Sequence, residues 1–186
     1  MATNEITTAT GREVNPLALR VEDIDIRDIA HALALTCRFN GHCRIFYSVA
    51  EHSVLVSNLC PPEFALEALL HDASEAYLGD VPTPLKRQWP EYRAAETRAQ
   101  AIIAQHFGLP EDISQAVHDS DAEAFGIEKA RLLVRADQAI EIAPLRGLSP
   151  EDAQSEFLER YFELTQPMSL RHSLMISSTF TDAIER

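Results

Sequence analysis

The sequence predicts an all-α protein built as a single helical bundle, and three observations support this fold class. Apolar residues recur at helical spacing along most of the chain, segments with strand-like alternation are scarce, and helix-starting and helix-ending residues separate the periodic segments. A length of 186 residues suits one domain, and an apolar fraction of 46% can form a core without disulfide bonds. We expect a polar N-terminal arm over residues 1–22 and the helical domain over residues 23–186.

The first two helices are predicted from apolar spacing and from a capping motif. Residues 25–36 carry apolar side chains three and four positions apart, which is typical of one helix face. An irregular stretch with the turn signal Asn40-Gly41 follows. Ser48 and Glu51 form a capping box, so a helix is expected to begin there. His52 shares a face of that helix with apolar neighbours and is predicted to point inward.

Proline and glycine divide the rest of the chain. A helix is expected to open at Pro61-Pro62 and to continue to Gly79, because proline fits a first helical turn and glycine ends helices. Residues 79–86 are predicted to be a loop, since Pro82 and Pro84 do not fit a helix interior. The later helices are expected at residues 91–107, at residues 111–135, at residues 150–164 with Ser149 as the cap, and at residues 169–184.

The charge balance excludes several classes of partner. A net charge of −13, from 16 basic and 29 acidic residues, argues against binding to duplex nucleic acid or to an anionic membrane, because both need a dominant basic face. Of the basic residues 14 are Arg, which favours fork-shaped contacts to phosphate or carboxylate groups of a small ligand. Three cysteines without a C-x-x-C pair, and an N-terminus without a signal-peptide core, predict a cytoplasmic protein.

His52 and the adjacent pair His71-Asp72 are the residues that point to chemistry. Two imidazoles with carboxylates suit Zn, Mn, Fe or Co better than Ca. A single inward histidine is more often a hydrogen-bonded core residue, but an unpaired buried carboxylate at Asp72 would be costly, and a metal ion removes that cost. Glu75 and Asp80 follow in the same segment, so we expect a metal site here.

The string HDASEAYLGDVPTPLK, which begins at His71, together with AEHS at residues 50–53, resembles the HD superfamily of metal-dependent phosphohydrolases. The similarity is closest to bacterial 5′-deoxynucleotidases and to phage dATP triphosphohydrolases, and residues 25–53 look like an N-terminal segment of phage and prophage members. The resemblance covers residues 25–133. It implies a deoxynucleotide substrate, a bound divalent metal ion and a homo-oligomer.

The resemblance also implies a ligand set in which His52, His71 and Asp72 are joined by a later aspartate. Two residues fit this position, Asp121 and Asp137. We prefer Asp121, because it follows the preceding helix at the shorter spacing and leads a helical segment, as in the family. The ion is expected to be Zn, Co, Mn or Fe, with Mg as an accessory ion.

Residues around the ligands are predicted to act on the substrate. Glu75 lies one turn past His71 and is the natural group to orient or deprotonate a water. The resemblance implies that Asp80, in the GD-x-P loop, protonates the leaving 5′ oxygen. Cations near the motif and one histidine in the preceding loop are predicted to bind the substrate: Arg38, His42, Arg44 and Lys86.

We therefore predict an enzyme that cleaves the 5′ phosphoester of a deoxynucleotide and releases the deoxynucleoside. The preferred reaction converts dATP to deoxyadenosine and triphosphate, and the alternative substrate is a deoxynucleoside monophosphate. An HD-type di-iron oxygenase would need closely paired histidines between Asp72 and the last ligand, where the sequence has only His106 and His118. A non-catalytic nucleotide-binding module would not need Glu75 and Asp80 beside the metal site.

Overall fold

Helices form most of the chain in the computed structural model, which describes residues 4–133 and 145–166. The predicted all-α fold is confirmed, since strands contribute only a two-stranded hairpin within these ranges. The α-helices of the described residues are α1 (Ile26–Leu35), α2 (Val49–Leu59), α3 (Ala65–Leu69), α4 (Glu75–Leu78), α5 (Thr83–Lys86), α6 (Pro90–Phe107), α7 (Gln115–Glu128) and α8 (Pro150–Thr165). Short 3-10 turns lie at Pro16–Ala18, Val21–Asp23, Phe39–Gly41 and Pro62–Phe64, and a π-helical segment, Lys129–Leu133, continues α7.

The N-terminal arm packs on the helices. Its strands β1 (Ile6–Thr7) and β2 (Glu13–Val14) pair antiparallel, with Ile6 opposite Val14. The backbone amide and the hydroxyl of Thr10 donate to the buried carboxylate of Asp28 at 2.7 and 2.8 Å, and these bonds fasten the hairpin to α1. The boundary between arm and domain after residue 22 stays a prediction.

Helix α2 lies at the centre of the bundle, in contact with α1, α3, α7 and α8. The core around it consists of fully buried apolar side chains: Ile29, Leu33, Val49, Leu69, Leu70 and Phe157. Burial of each such side chain is worth about 1.5–3 kcal/mol, so this packing supplies the main driving force for folding. A polar residue on the inner face of α2 is consequently shielded from water. No helix of the described ranges combines the length and hydropathy that crossing a bilayer requires.

Two predicted helix starts are confirmed by their caps. The Ser48 hydroxyl accepts a hydrogen bond from the Glu51 amide at 3.1 Å, and the Ser149 hydroxyl accepts one from the Asp152 amide at 3.1 Å. The Glu51 side chain does not complete the predicted capping box, however, because its carboxylate accepts from the Leu148 amide at 3.0 Å instead. This bond ties the start of α2 to the segment before α8.

The predicted helix from Pro61 to Gly79 is wrong in its middle, where turns separate α3 from α4. The carbonyl oxygen of Ala68 accepts from Nδ1 of His71 at 2.7 Å. A continuous helix would use that carbonyl for the amide four residues later. Hydrogen bonds between residues three positions apart replace the regular helical pattern, such as the bond from the Ala73 amide to the Leu70 carbonyl at 3.1 Å. His71 and Asp72 therefore lie in a turn, which lets both side chains face one point.

Two other boundaries differ from the prediction. Thr83–Lys86 forms the helical turn α5 rather than a loop, because Pro84 lies in its first turn, where no amide is required. Helix α7 begins at Gln115 instead of residue 111. The helix predicted at residues 169–184 lies outside the described residues.

Candidate metal centre

The four preferred ligand residues converge in the structure. His52 comes from α2, His71 and Asp72 from the turn between α3 and α4, and Asp121 from α7. Nε2 of His52 lies 3.5 Å from Oδ2 of Asp72 and 3.2 Å from Oδ1 of Asp121. Nε2 of His71 lies 3.3 and 3.9 Å from the same two atoms. His52, His71 and Asp72 form a group that can hold a metal ion, with ligand atoms within 4.8 Å of one another.

The orientation of both imidazoles fits a metal ion. Nδ1 of His52 lies 2.7 Å from Oε1 of Glu128, and Nδ1 of His71 lies 2.7 Å from the Ala68 carbonyl oxygen. These acceptors leave the two Nε2 atoms facing the centre, and both atoms are buried without a hydrogen-bond partner in the described chain. Ligand atoms about 2.1 Å from a shared ion lie roughly 3.0–3.5 Å apart, close to the separations in this cluster.

Both aspartates of the centre are held in the charged form. Burial by itself would raise the pKa of Asp72, but the neighbouring His71, His52 and Arg38 hold it well below the ordinary value. Burial also opposes ionisation of Asp121, and its contacts with His52 and His71 lower its pKa overall. Two carboxylates and two inward imidazole nitrogens thus make a site with the charge and the donor atoms that a divalent cation needs.

Glu128 is a residue of this centre that the sequence interpretation missed. It is completely buried, and besides His52 it contacts Arg38, whose Nη2 lies 3.0 Å from Oε2 of Glu128. The other terminal nitrogen of Arg38 lies 3.6 Å from Asp72. Glu128 follows Asp121 by seven residues, or two helical turns, so both lie on one face of α7. That spacing is the signal that could have identified it.

Glu75 and Asp80 lie beside the centre. Glu75 is 4% exposed, and its Oε2 atom is buried without a hydrogen-bond partner in the described chain. Burial, together with the charges of Asp72 and Asp80, raises the pKa of Glu75 well above its ordinary value, and the Lys86 ammonium only partly opposes this. Burial likewise raises the pKa of Asp80. Both carboxyl groups can therefore carry a proton nearer to neutral pH than a solvated carboxyl group.

Lys86 is engaged by two carboxylates. Its Nζ atom lies 3.0 Å from Oε1 of Glu75, and it also contacts Glu96 of α6. These contacts, with the partial burial of the side chain, place the ammonium beside Glu75 and not in open solvent. Lys86 still lines the cavity, but its charge is largely neutralised there.

A cavity of about 640 Å³ opens at this cluster of histidines and carboxylates. This size lies in the range of small-molecule sites. Its wall combines acidic, basic and aromatic side chains, among them Asp72, Glu75, Asp80, Asp121, Arg38, Lys86, Arg87, Phe39 and Phe125. The rings of Phe39 and Phe125 lie with centroids 6.1 Å apart and form an aromatic wall.

Of the four residues predicted to bind substrate, the structure brings only Arg38 and Lys86 to the cavity. His42 is exposed and does not line it. Arg44 is held elsewhere, with its amide 3.0 Å from the Leu132 carbonyl and its guanidinium on the Arg131 carbonyl. Asp137, the alternative last ligand, lies outside the described residues. The neighbour of Lys86 in sequence, Arg87, lines the cavity and was not predicted.

Comparisons with known proteins find relatives along most of the chain. No family model matches it. An uncharacterised protein of Escherichia coli (strain K12), YfdR, is 39% identical over 170 residues, which cover 87% of this chain and 96% of that protein. An uncharacterised protein of Rhodobacter capsulatus is 32% identical over 186 residues, covering 86% and 95% of the two chains. A Yersinia pestis (strain Pestoides F) protein named 5′-deoxynucleotidase is 28% identical over 169 residues, covering 87% of this chain and 76% of its own.

Proposed function

The chain belongs to the same family as YfdR, and from its similarity to a 5′-deoxynucleotidase we propose that it is a metal-dependent phosphohydrolase of deoxynucleotides. One observation carries this proposal. The unpartnered Nε2 atoms of His52 and His71 face Asp72 and Asp121 at the wall of a cavity that also presents Glu75. An isolated pair of core histidines would not need two ionised aspartates and a strongly perturbed glutamate around it.

The residues of the centre fit a divalent cation, with His52, His71, Asp72 and Asp121 as its ligands. When bound, such an ion acts as a Lewis acid toward a phosphoryl oxygen and lowers the pKa of water to about 7. Mixed imidazole and carboxylate donors favour Zn, Co, Mn or Fe, and Mg is proposed only as an accessory ion. Glu128 and the Ala68 carbonyl accept from Nδ1 of the two rings, so that in the metal-bound protein each Nε2 would give up its proton and face the ion.

Glu75 is proposed to orient the attacking water and to accept its proton. The Oε2 atom has no protein partner in the described chain, while Lys86 fixes Oε1 at 3.0 Å. A carboxyl group with a raised pKa is better matched to proton transfer near neutral pH than an ordinary glutamate. The water oxygen forms a bond to phosphorus as the bond between phosphorus and the 5′ oxygen breaks.

Asp80 is proposed to supply the proton that the leaving 5′ oxygen needs. It lines the same cavity, and its raised pKa keeps a proton available at higher pH than in a solvated aspartate. The products are then the deoxynucleoside and the released phosphate or triphosphate. The Phe39 and Phe125 wall offers an apolar surface for the base.

The preferred substrate is dATP, cleaved to deoxyadenosine and triphosphate, because the segment from Asp25 to Ser53 resembles phage and prophage members. The alternative is a deoxynucleoside monophosphate, in keeping with the name of the Yersinia relative. The cytoplasmic location, the homo-oligomer and the absence of binding to duplex nucleic acid or membranes stay predictions.

Product analysis tests this function. Protein loaded separately with Zn²⁺, Co²⁺, Mn²⁺ or Fe²⁺ is incubated with dATP and with dAMP, and the deoxyadenosine, phosphate and triphosphate formed are separated by chromatography. Equal amounts of deoxyadenosine and triphosphate from dATP support the preferred reaction, and phosphate from dAMP alone supports the alternative. No hydrolysis of either nucleotide with any metal, or two irons bound per chain with no hydrolysis, contradicts the proposal.

A further inference from the structure

The cavity wall holds more acidic than basic side chains. The acidic ones are Asp72, Glu75, Asp80 and Asp121, against three cations. A divalent ion at the centre would serve one phosphoryl group. A triphosphate brings two further phosphoryl groups, and these negative charges need a cation of their own on the wall.

Two of the three cations are already engaged by protein carboxylates. Arg38 lies 3.0 Å from Glu128 and 3.6 Å from Asp72, and its side chain is 11% exposed. Lys86 lies between Glu75 and Glu96. Removing either cation from its partners would leave buried carboxylates uncompensated, which is costly.

Arg87 differs from both. It follows Lys86 at the end of α5, is exposed, and lines the cavity. Within residues 4–133 and 145–166, its guanidinium makes no ion pair or hydrogen bond with another side chain. A guanidinium on the wall of an acidic cavity can bind phosphate with two parallel hydrogen bonds.

Building on the proposed function, we propose that Arg87 is the specificity-determining residue that holds the distal phosphates of a deoxynucleoside triphosphate. A monophosphate ends at the metal centre and has no group to offer Arg87. A triphosphate extends beyond the centre and places its terminal groups against this cation. Arg87 thereby sets the preference between the two substrates.

The test compares Arg87→Gln, Arg87→Lys and the wild type with dATP and dAMP. The ratio of KM for dATP to KM for dAMP is expected to rise about tenfold or more in Arg87→Gln, as for the loss of a charged hydrogen bond. Arg87→Lys keeps the positive charge but not the fork-shaped guanidinium, so its KM ratio should lie between those of the wild type and Arg87→Gln. Arg93→Gln is the matched control, because Arg93 is exposed on α6 and does not line the cavity.

An unchanged ratio in Arg87→Gln, or the same change in Arg93→Gln, overturns the assignment of Arg87. A second measurement distinguishes a wrong assignment of Arg87 from a failure of the proposed function. It is the binding of the α-thio analogues of dATP and dAMP to Mn²⁺-loaded protein, measured by calorimetry. If the wild type hydrolyses only one of the two nucleotides, no ratio of KM values exists, and the ratio of the two dissociation constants in Arg87→Gln decides the role of Arg87. If it hydrolyses neither, the proposed function fails, and the same ratio of dissociation constants still decides the role of Arg87. Equal binding of the dATP analogue by wild type and Arg87→Gln, or no binding by either, contradicts the proposed role of Arg87.

Discussion

Nδ1 of His52 lies 2.7 Å from a carboxylate oxygen of Glu128, and neither side chain is exposed to solvent. This contact joins the central helix α2 to α7, which also carries Asp121. Because the carboxylate accepts from Nδ1, the ring presents its other nitrogen to the metal centre. The same carboxylate holds Arg38, so one buried group orients two side chains of the site.

Glu128→Gln is expected to lower metal affinity by about 10–100-fold, because Gln accepts a weaker hydrogen bond from His52 and no longer neutralises Arg38. Glu128→Ala should also destabilise the fold by about 3–5 kcal/mol, since it leaves a buried Arg38 without its partner. Chelator competition and urea unfolding measure the two effects. Glu123→Gln, an exposed change on the same helix, should alter neither. Wild-type affinity in Glu128→Gln would exclude an orienting role.

Asp121→Ala is expected to lose both bound metal and activity, whereas Asp137→Ala should keep metal content near that of the wild type. The reason is the position of Asp121, whose Oδ1 lies 3.2 Å from Nε2 of His52. Metal content per chain, determined by mass spectrometry on purified protein, gives the answer directly. The reverse pattern would transfer the last ligand to Asp137.

Glu75→Gln is expected to reduce kcat by about 10²–10⁴-fold, the usual contribution of a general base, while metal content stays unchanged. Glutamine keeps the size of the side chain but cannot accept the proton from water. Steady-state kinetics with the better of the two nucleotides measures the loss. Glu91→Gln, exposed at the start of α6, is the charge-matched control. Activity within about twofold of wild type in Glu75→Gln would rule out this role.

Asp25 makes stability depend on pH at the start of α1. Its carboxylate accepts from the Arg27 amide at 3.0 Å and lies 2.7 Å from Nη2 of Arg27 and 3.1 Å from Nη2 of Arg12. The hydrogen bonds from Arg27 outweigh burial and lower the pKa of Asp25 from 3.8 to about 2. Because the folded-state pKa is depressed, this stabilisation is complete above pH 3.8 and is lost as pH falls toward about 2.

Asp25→Ala should lower the free energy of unfolding at pH 7 by about 1 kcal/mol, through loss of the cap. Asp25→Asn keeps a capping oxygen and removes only the charge, so its loss of unfolding free energy relative to the wild type should be smaller. That loss should shrink as pH falls from 4 to 2. Urea unfolding across this pH range measures both variants, with Asp112→Asn as an exposed control. If the unfolding free energy of Asp25→Asn fell further below that of the wild type toward low pH, the stabilising role of the ionised Asp25 carboxylate would be contradicted.

Local features of the chain were predictable because their signals lie within a few residues. The caps at Ser48 and Ser149 and the helix end at residue 107 depend on hydrogen bonds or backbone angles next to the helix end, and the structure confirms all three. The turn at His71 was missed although it is also local. There the His71 imidazole occupies the Ala68 carbonyl that a continuous helix would use for a backbone amide. The spacing of apolar residues does not predict such a bond.

Substrate contacts were less predictable than the ligands. Arg44 and His42 are close in sequence to Arg38, yet only Arg38 reaches the cavity. Proximity along the chain does not fix the direction of a side chain in an irregular loop. In the same way, the sequence places Lys86 and Glu75 in one motif but does not indicate that Glu96, from the next helix, also holds the ammonium.

The helical class, most helix boundaries, the inward direction of His52 and the candidate metal ligands were predictable from the sequence, because periodicity, caps and the His-Asp string are short-range patterns. The packing of the helices brings these side chains together, sets Glu128 against His52, and places Arg87 on the wall of the cavity. Contacts such as the one between His52 and Glu128 join residues 76 positions apart. They depend on how α2 and α7 pack, and no local pattern encodes that packing.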